Sequence, residues 1–330
     1  MKKALPALLL ASIVAVSVTA LTISNDNLEL RLLERSGRFL LYAIQDGGSK
    51  KPLFLEGDPR TTVLAVVAGN RVYRMGDSFE FRQALWVEGN SASITWSSPS
   101  LSVTQSFTLQ GASLAIDIRI VNSSEQDLRI GVRYLIDTYL GERGEHFTVD
   151  TLPVRNETDF LSNIPSAIVS SNGTDTQLVI STAGAGITKP DRIVLANWKR
   201  LSDAPWSFEV NQRRDFNNLP YSINDSAVAL YYEPQVVPRN TARSISMRMK
   251  YEDPSRIASL SGDDGPSARL SEESIQLREK VIGEMIKIDS LITQIDALLN
   301  AATTPSQTAV DEITNSLNDL ENRKKALIGQ

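Results

Sequence analysis

The chain has 330 residues, 42% of them hydrophobic, and a formal net charge of -5, which are values of an ordinary globular protein rather than a disordered or fibrous one. Mild acidity without a long Lys/Arg run excludes general attraction to nucleic acid, so none is expected as a partner. With no Cys and one His, disulfides, thiol nucleophiles and His/Cys zinc clusters are excluded, and neither a metal nor a cofactor is expected.

Residues 1–20 read as a signal peptide. Lys2 and Lys3 form a positive n-region, residues 4–18 are largely apolar, and Val18-Thr19-Ala20 supplies small residues for cleavage after Ala20. The apolar stretch is shorter than the roughly 20 residues of a spanning helix. No Cys follows it to carry a lipid, so the expected home is the periplasm or cell envelope, with release outside the cell also compatible.

Residues 21–253 have the texture of strands. The stretches 28–32, 100–107 and 113–121 alternate at period two, as antiparallel strands with one buried face do. Turn signals separate them at Asp46-Gly47-Gly48, Gly69-Asn70, Gly89-Asn90, Asn122-Ser123-Ser124 and Ser171-Asn172-Gly173. The region shows no amphipathic helix and predicts one large antiparallel β-sandwich, making the chain mainly β. Four N-x-[ST] triplets, at Asn122, Asn156, Asn172 and Asn224, read as accidental in a bacterial export product.

Within this region the segment 130–142 carries clustered charge at the end of an alternating strand. It is expected to deliver Arg133, Asp137 and Glu142 to one rim, with an Arg133–Asp137 ion pair bracing the turn as the structural reading of the same residues. His146 follows in that turn. No Gly-x-Ser-x-Gly elbow accompanies it, and neither a Walker-type loop nor Gly-x-Gly-x-x-Gly is present. Trp198 and Trp206 flank a loop-like stretch and are candidate stacking platforms, against the alternative of core packing. Asp137, Glu142 and Asp225 are the carboxylates considered for sugar chemistry.

At Glu252-Asp253-Pro254 the texture changes. Residues 254–269, with Pro254, Gly262, Gly265 and Pro266, read as a linker. Val281, Met285, Ile288, Ile292, Ile295 and Leu299 then line one helix face, and Val310, Ile313, Leu317, Leu320 and Leu327 line a second. Thr304-Pro305-Ser306-Gln307 starts the second helix with a capping box. Residues 270–330 are therefore expected to form a two-helix antiparallel hairpin.

The segment 105–141, with Ile116-Asp117-Ile118-Arg119-Ile120 and Gly131-Val132-Arg133-Tyr134-Leu135-Ile136-Asp137-Thr138-Tyr139-Leu140-Gly141, resembles galactose-mutarotase-like β-supersandwich domains of bacterial exported proteins. So does Asp225-Ser226-Ala227-Val228-Ala229-Leu230-Tyr231-Tyr232-Glu233-Pro234, and spirochaete envelope proteins are where relatives would first be sought. The resemblance implies a supersandwich fold and points towards sugars. Catalytic members use several His residues with a Glu base, which a single His cannot supply. The leading expectation is thus a non-catalytic envelope binding or scaffold protein. Its sandwich would contact an envelope protein or glycan, and residues 270–330 would mediate homo-oligomer or partner-helix assembly. A carbohydrate-active enzyme using carboxylates, glycosidase or epimerase-like, is the alternative. Candidate binding residues are Arg133, Asp137, Glu142, His146, Trp198 and Trp206.

Overall fold

The structure, a computed structural model, describes residues 20–255 apart from 35, 56–58 and 144–145. The signal peptide and the predicted linker and hairpin at 254–330 lie, but for Ala20, Pro254 and Ser255, outside the described residues. In chain order the strands are β1 (Ala20–Ser24), β2 (Leu28–Leu33), β3 (Phe39–Ile44), β4 (Lys50–Pro52), β5 (Val63–Ala68), β6 (Arg71–Arg74), β7 (Arg82–Glu88), β8 (Ser91–Ser97), β9 (Leu101–Gln110) and β10 (Ser113–Asn122). There follow β11 (Leu128–Asp137), β12 (Phe147–Val149), β13 (Leu152–Val154), β14 (Thr158–Phe160), β15 (Ala167–Ser171), β16 (Gln177–Ser181), β17 (Arg192–Asn197), the helix α1 (Trp198–Asp203), β18 (Ser226–Val237) and β19 (Ala242–Glu252).

These strands form three antiparallel sheets. The first is β1-β2-β3-β4, the second runs β13-β12-β15-β16-β19-β10-β9-β8-β7, and the third runs β14-β17-β18-β11-β5-β6. In the nine-stranded sheet β9 and β10 bury alternate residues, so Val103, Phe107, Ile116, Ile118 and Ile120 face the core while their neighbours face out. That is the period-two pattern of a sheet with one wet face.

The central strands of the six-stranded sheet are buried on both faces over most of their length and accordingly read as near-continuous apolar runs. Val132, Tyr134, Ile136, Val228, Leu230 and Tyr232 join the main core, which also takes Leu28, Leu30 and Leu32 of β2. The alternate residues Leu135, Ala227, Ala229 and Tyr231 pack with Val63, Leu201 and Phe208 in a second cluster on the α1 side. α1 is the one α-helix spanning more than a turn among the described residues. At six residues it is too short for an apolar period to show in sequence.

Register shifts in the β11–β18 ladder between Ile130 and Val132, next to Gly131. A Cβ at Gly131 would stand 2.9 Å from both Pro234 and Trp206, so a side chain there would displace the Trp206 ring. Asn122 of the first N-x-[ST] triplet is fully buried, and its amide donates to the carbonyls of Gln126 and Val237. It is a strand-end brace rather than a surface acceptor.

Candidate functional site

β11 and β18 are antiparallel neighbours, with Asp137 opposite Ala227. The exit of β11 and the entry of β18 therefore meet at one rim. Asp137 ends β11 with 1% exposure, and its backbone N–H donates to Thr62 Oγ1 at 3.2 Å. A single turn of 3-10 helix, Tyr139–Arg143, carries Glu142, and Asp225 directly precedes β18. One carboxyl oxygen from each of Asp137, Glu142 and Asp225 lies within 4.8 Å of the others, with Glu142 and Asp225 half-buried. Asp137 and Glu142 each have further polar partners.

Burial pushes the Asp225 carboxyl above its ordinary pKa, and a hydrogen bond with the Ser222 side chain only partly offsets this. His146 sits beside the cluster. Its Nδ1 is 3.0 Å from Ser226 Oγ, and its ring centroid is 4.5 Å from that of Phe216. Burial drives the imidazole pKa down, against the opposing pull of Asp215, and so favours the neutral ring at pH 7. His146 also adopts φ 54°, a left-handed conformation uncommon outside glycine. The turn holds it there: its N–H donates to Gly141 O at 3.0 Å, and a Cβ on Gly141 would fall 2.1 Å from His146 O.

The segment between Phe216 and Asp225 forms the other wall. Asn197 caps α1 by accepting from the Arg200 N–H, and its amide donates to Phe216 O and Ser222 Oγ, each at 2.9 Å. Asn218 donates its N–H to Ser222 O at 2.9 Å, and Asn224 donates to Asn217 Oδ1 at 2.8 Å. These bonds fix a loop whose Leu219, Tyr221 and Ile223 are 71%, 75% and 69% exposed. Three exposed apolar or aromatic side chains thus lie in the loop immediately before Asp225.

The sequence-predicted residues divide. Asp137, Glu142 and His146 are brought together at the rim. Arg133 is not with them: four strand residues span about 13 Å, which rules out the expected Arg133–Asp137 pair. Instead the Arg133 guanidinium donates to the carbonyls of Ala204 and Leu201 beneath α1. Trp198 opens α1 and donates Nε1–H to Thr61 O at 2.9 Å, while Trp206 stands edge-on to Tyr231 with centroids 5.7 Å apart. Both are half-buried and pack against the second core cluster. Ser226, Asn197, Phe216 and Tyr221 were not singled out from sequence. Only the β11–β18 pairing, which joins segments about ninety residues apart, could have pointed to them.

All three carboxylates offer hard oxygen donors, a set suited to Mg²⁺ or Ca²⁺ rather than to zinc. No family model matches the chain, and no curated protein matches it. Among solved structures it is similar to an Escherichia coli K12 protein provisionally described as an aldose 1-epimerase, at 10% identity over 71% of this chain and 99% of that one, with a TM-score of 0.48. A galactose mutarotase-like protein from Lactobacillus casei gives 10% identity over 71% and 100%, TM-score 0.45. Galactose 1-epimerase from Lactobacillus acidophilus gives 9% over 71% and 94%, TM-score 0.44. Likeness at this level transfers no substrate or activity.

Proposed function

We propose that the β domain acts on a carbohydrate at the Asp137–Glu142–Asp225 rim, with the carboxyl groups as its acid and base. The observation that carries this reading is the convergence of the three carboxyls within 4.8 Å beside an exposed aromatic and apolar loop. Carboxylates recognise sugar hydroxyls, and an aromatic face such as that of Tyr221 covers the apolar face of a pyranose. Asp225, driven towards its neutral form by burial, is the proton donor; Asp137 and Glu142 supply the acceptor. Inverting glycosidases hold their carboxyls about 6.5–9.5 Å apart to admit a water. Groups within 4.8 Å are too close for that, and their spacing suits either proton exchange between two oxygens of one sugar or the retaining geometry of about 5–5.5 Å.

This reading takes up the alternative expectation from sequence in preference to a purely scaffolding role. We further propose that the domain works in the cell envelope after cleavage at Ala20, so the mature protein should begin at Leu21. The functional test is a panel of aldoses followed by NMR for anomer exchange and by calorimetry for binding, repeated with Asp225→Asn and Tyr221→Ala. Binding or exchange lost in both variants supports the reading. A panel with neither, alongside Ca²⁺ or Mg²⁺ binding that Asp225→Asn abolishes, would replace it with a cation site.

A further inference from the structure

Each of the three sheets ends in two edge strands, and four of those edges are poor templates for another strand. β4 reads Lys-Lys-Pro, β13 carries Pro153, β14 has only three residues, and β6 has an arginine at each end. β1 and β7 remain. β7, the longer of the two, has seven residues with neither Pro nor Gly, and its one ladder among the described residues is with β8.

Along β7 the even positions Arg82, Ala84, Trp86 and Glu88 are exposed, and the odd positions Gln83, Leu85 and Val87 are half-buried. The hairpin to β8 fixes which backbone groups its ladder uses. The loop is Gly89-Asn90, two residues with φ 55° at the glycine, so Glu88 and Ser91 form the hydrogen-bonded closing pair. Hydrogen-bonded pairs then recur at every second residue, at Trp86, Ala84 and Arg82. The N–H and C=O groups of Gln83, Leu85 and Val87 are left pointing away from β8, along the open edge. Gln83 and Leu85 also border a cleft of about 330 Å³, which leaves room beside the strand.

We propose that β7 is a self-complementary edge on which a second copy of this chain docks, by antiparallel pairing about a two-fold axis at Leu85. Arg82 and Glu88 lie three residues to either side of that axis, and the outward backbone groups are symmetric about it. No other register pairs all seven residues. Leu85 meets Leu85 of the second copy, and Gln83 meets Val87, as hydrogen-bonded pairs that use every outward backbone group. Arg82 then faces Glu88 and Ala84 faces Trp86 in the pairs between, where side chains approach most closely. Two cross-strand ion pairs result, and each Trp86 ring, 51% exposed in the single copy, covers the small Ala84 of the other. The same operation on β6 would instead oppose Arg71 to Arg74, like against like.

The test measures association of the full chain by sedimentation velocity over a concentration series, for the parent, Arg82→Glu, Glu88→Arg and the double reversal. Both positions are exposed, so the substitutions leave the core untouched. The parent should dimerise. Each single reversal opposes like charges at two places and should raise the dissociation constant about tenfold, and the double reversal, which exchanges the two charges, should restore it. A parent that stays monomeric, a dimer indifferent to both single reversals, as one held by residues 270–330 would be, or a double reversal that associates no better than the singles would each overturn the proposal. None of these outcomes depends on whether the acidic rim acts on a sugar.

Discussion

Replacing Gly141 with Ala tests the local construction of the rim. The glycine lies in the turn between Asp137 and Glu142 and packs directly on the backbone of His146. Its missing Cβ would stand 2.1 Å from His146 O, 2.6 Å from its Cα and 2.7 Å from its C. Ordinary contact begins near 3.4 Å, so the two backbones must separate by about 1.3 Å. The obstruction is backbone on both sides, and no rotamer change can relieve it. Separation of that size breaks the 3.0 Å His146 N–H to Gly141 O bond and draws the imidazole from Ser226 and Phe216. Overpacking of this kind costs about 1–3 kcal/mol. Denaturant unfolding should therefore show a lower midpoint at unchanged slope. Because His146 is the only histidine, its ring protons report on the site alone. Their pKa should rise towards about 6.5 as burial is relieved. An unchanged midpoint together with unmoved His146 resonances would refute the close-approach argument.

Two carboxylates should give opposite pH signatures. Asp175 is hydrogen-bonded by Asn172 and paired with Lys51, with Thr176 and Gln45 adding further bonds, and these hold its pKa well below the usual carboxylate range. Its contribution is present above the unfolded value of about 4 and disappears as pH falls below it, so Asp175→Asn should destabilise at pH 7 and converge with the parent in acid. Asp225 has its pKa raised, so the folded state holds a proton that the unfolded chain has released. That contribution is full below about 4 and is lost as pH rises through the folded pKa. Asp225→Asn should leave the fold intact and relieve crowding at the rim, making the protein more stable at pH 7 while removing function. Parallel urea titrations at several pH values check both, and a neutral-pH loss of stability in Asp225→Asn would count against the assignment of Asp225.

Much of the sandwich was legible because its wet-faced strands alternate. The predicted stretches 100–107 and 113–121 fall in β9 and β10, and the turn signals at Gly69-Asn70 and Gly89-Asn90 lie between paired strands. The doubly buried strands are less explicit, since Ala227-Val228-Ala229-Leu230 serves two cores at once and has no period. Asp137 and Glu142 could be joined from sequence because one turn separates them. Asp225 could not be placed with them, because nothing local encodes the β11–β18 register. Arg133 and Asp137 do share a strand face, as the alternation implies, but four strand residues span about 13 Å, too far for the expected ion pair. Trp198 and Trp206 looked like loop aromatics because Pro205 and Asp203 disguise a helix of six residues.

The acidic rim and the arginines Arg74 and Arg133 are joined by one structural element, α1. Trp198, the first residue of α1, donates its backbone N–H to Asp225 O at 2.9 Å, and Asn197 before it anchors Phe216 and Ser222. The far end of the helix presents the carbonyls of Leu201, Ser202 and Ala204 to Arg133 and Arg74. So short a helix has little stability of its own and exists because it is pinned at both ends. Weakening the arginine end lets α1 shift on the sheet, and the first consequence is felt where Asn197 and Trp198 position the wall that carries Asp225. The acidic rim thus owes part of its geometry to two arginines on the other side of α1, Arg133 buried and Arg74 partly exposed.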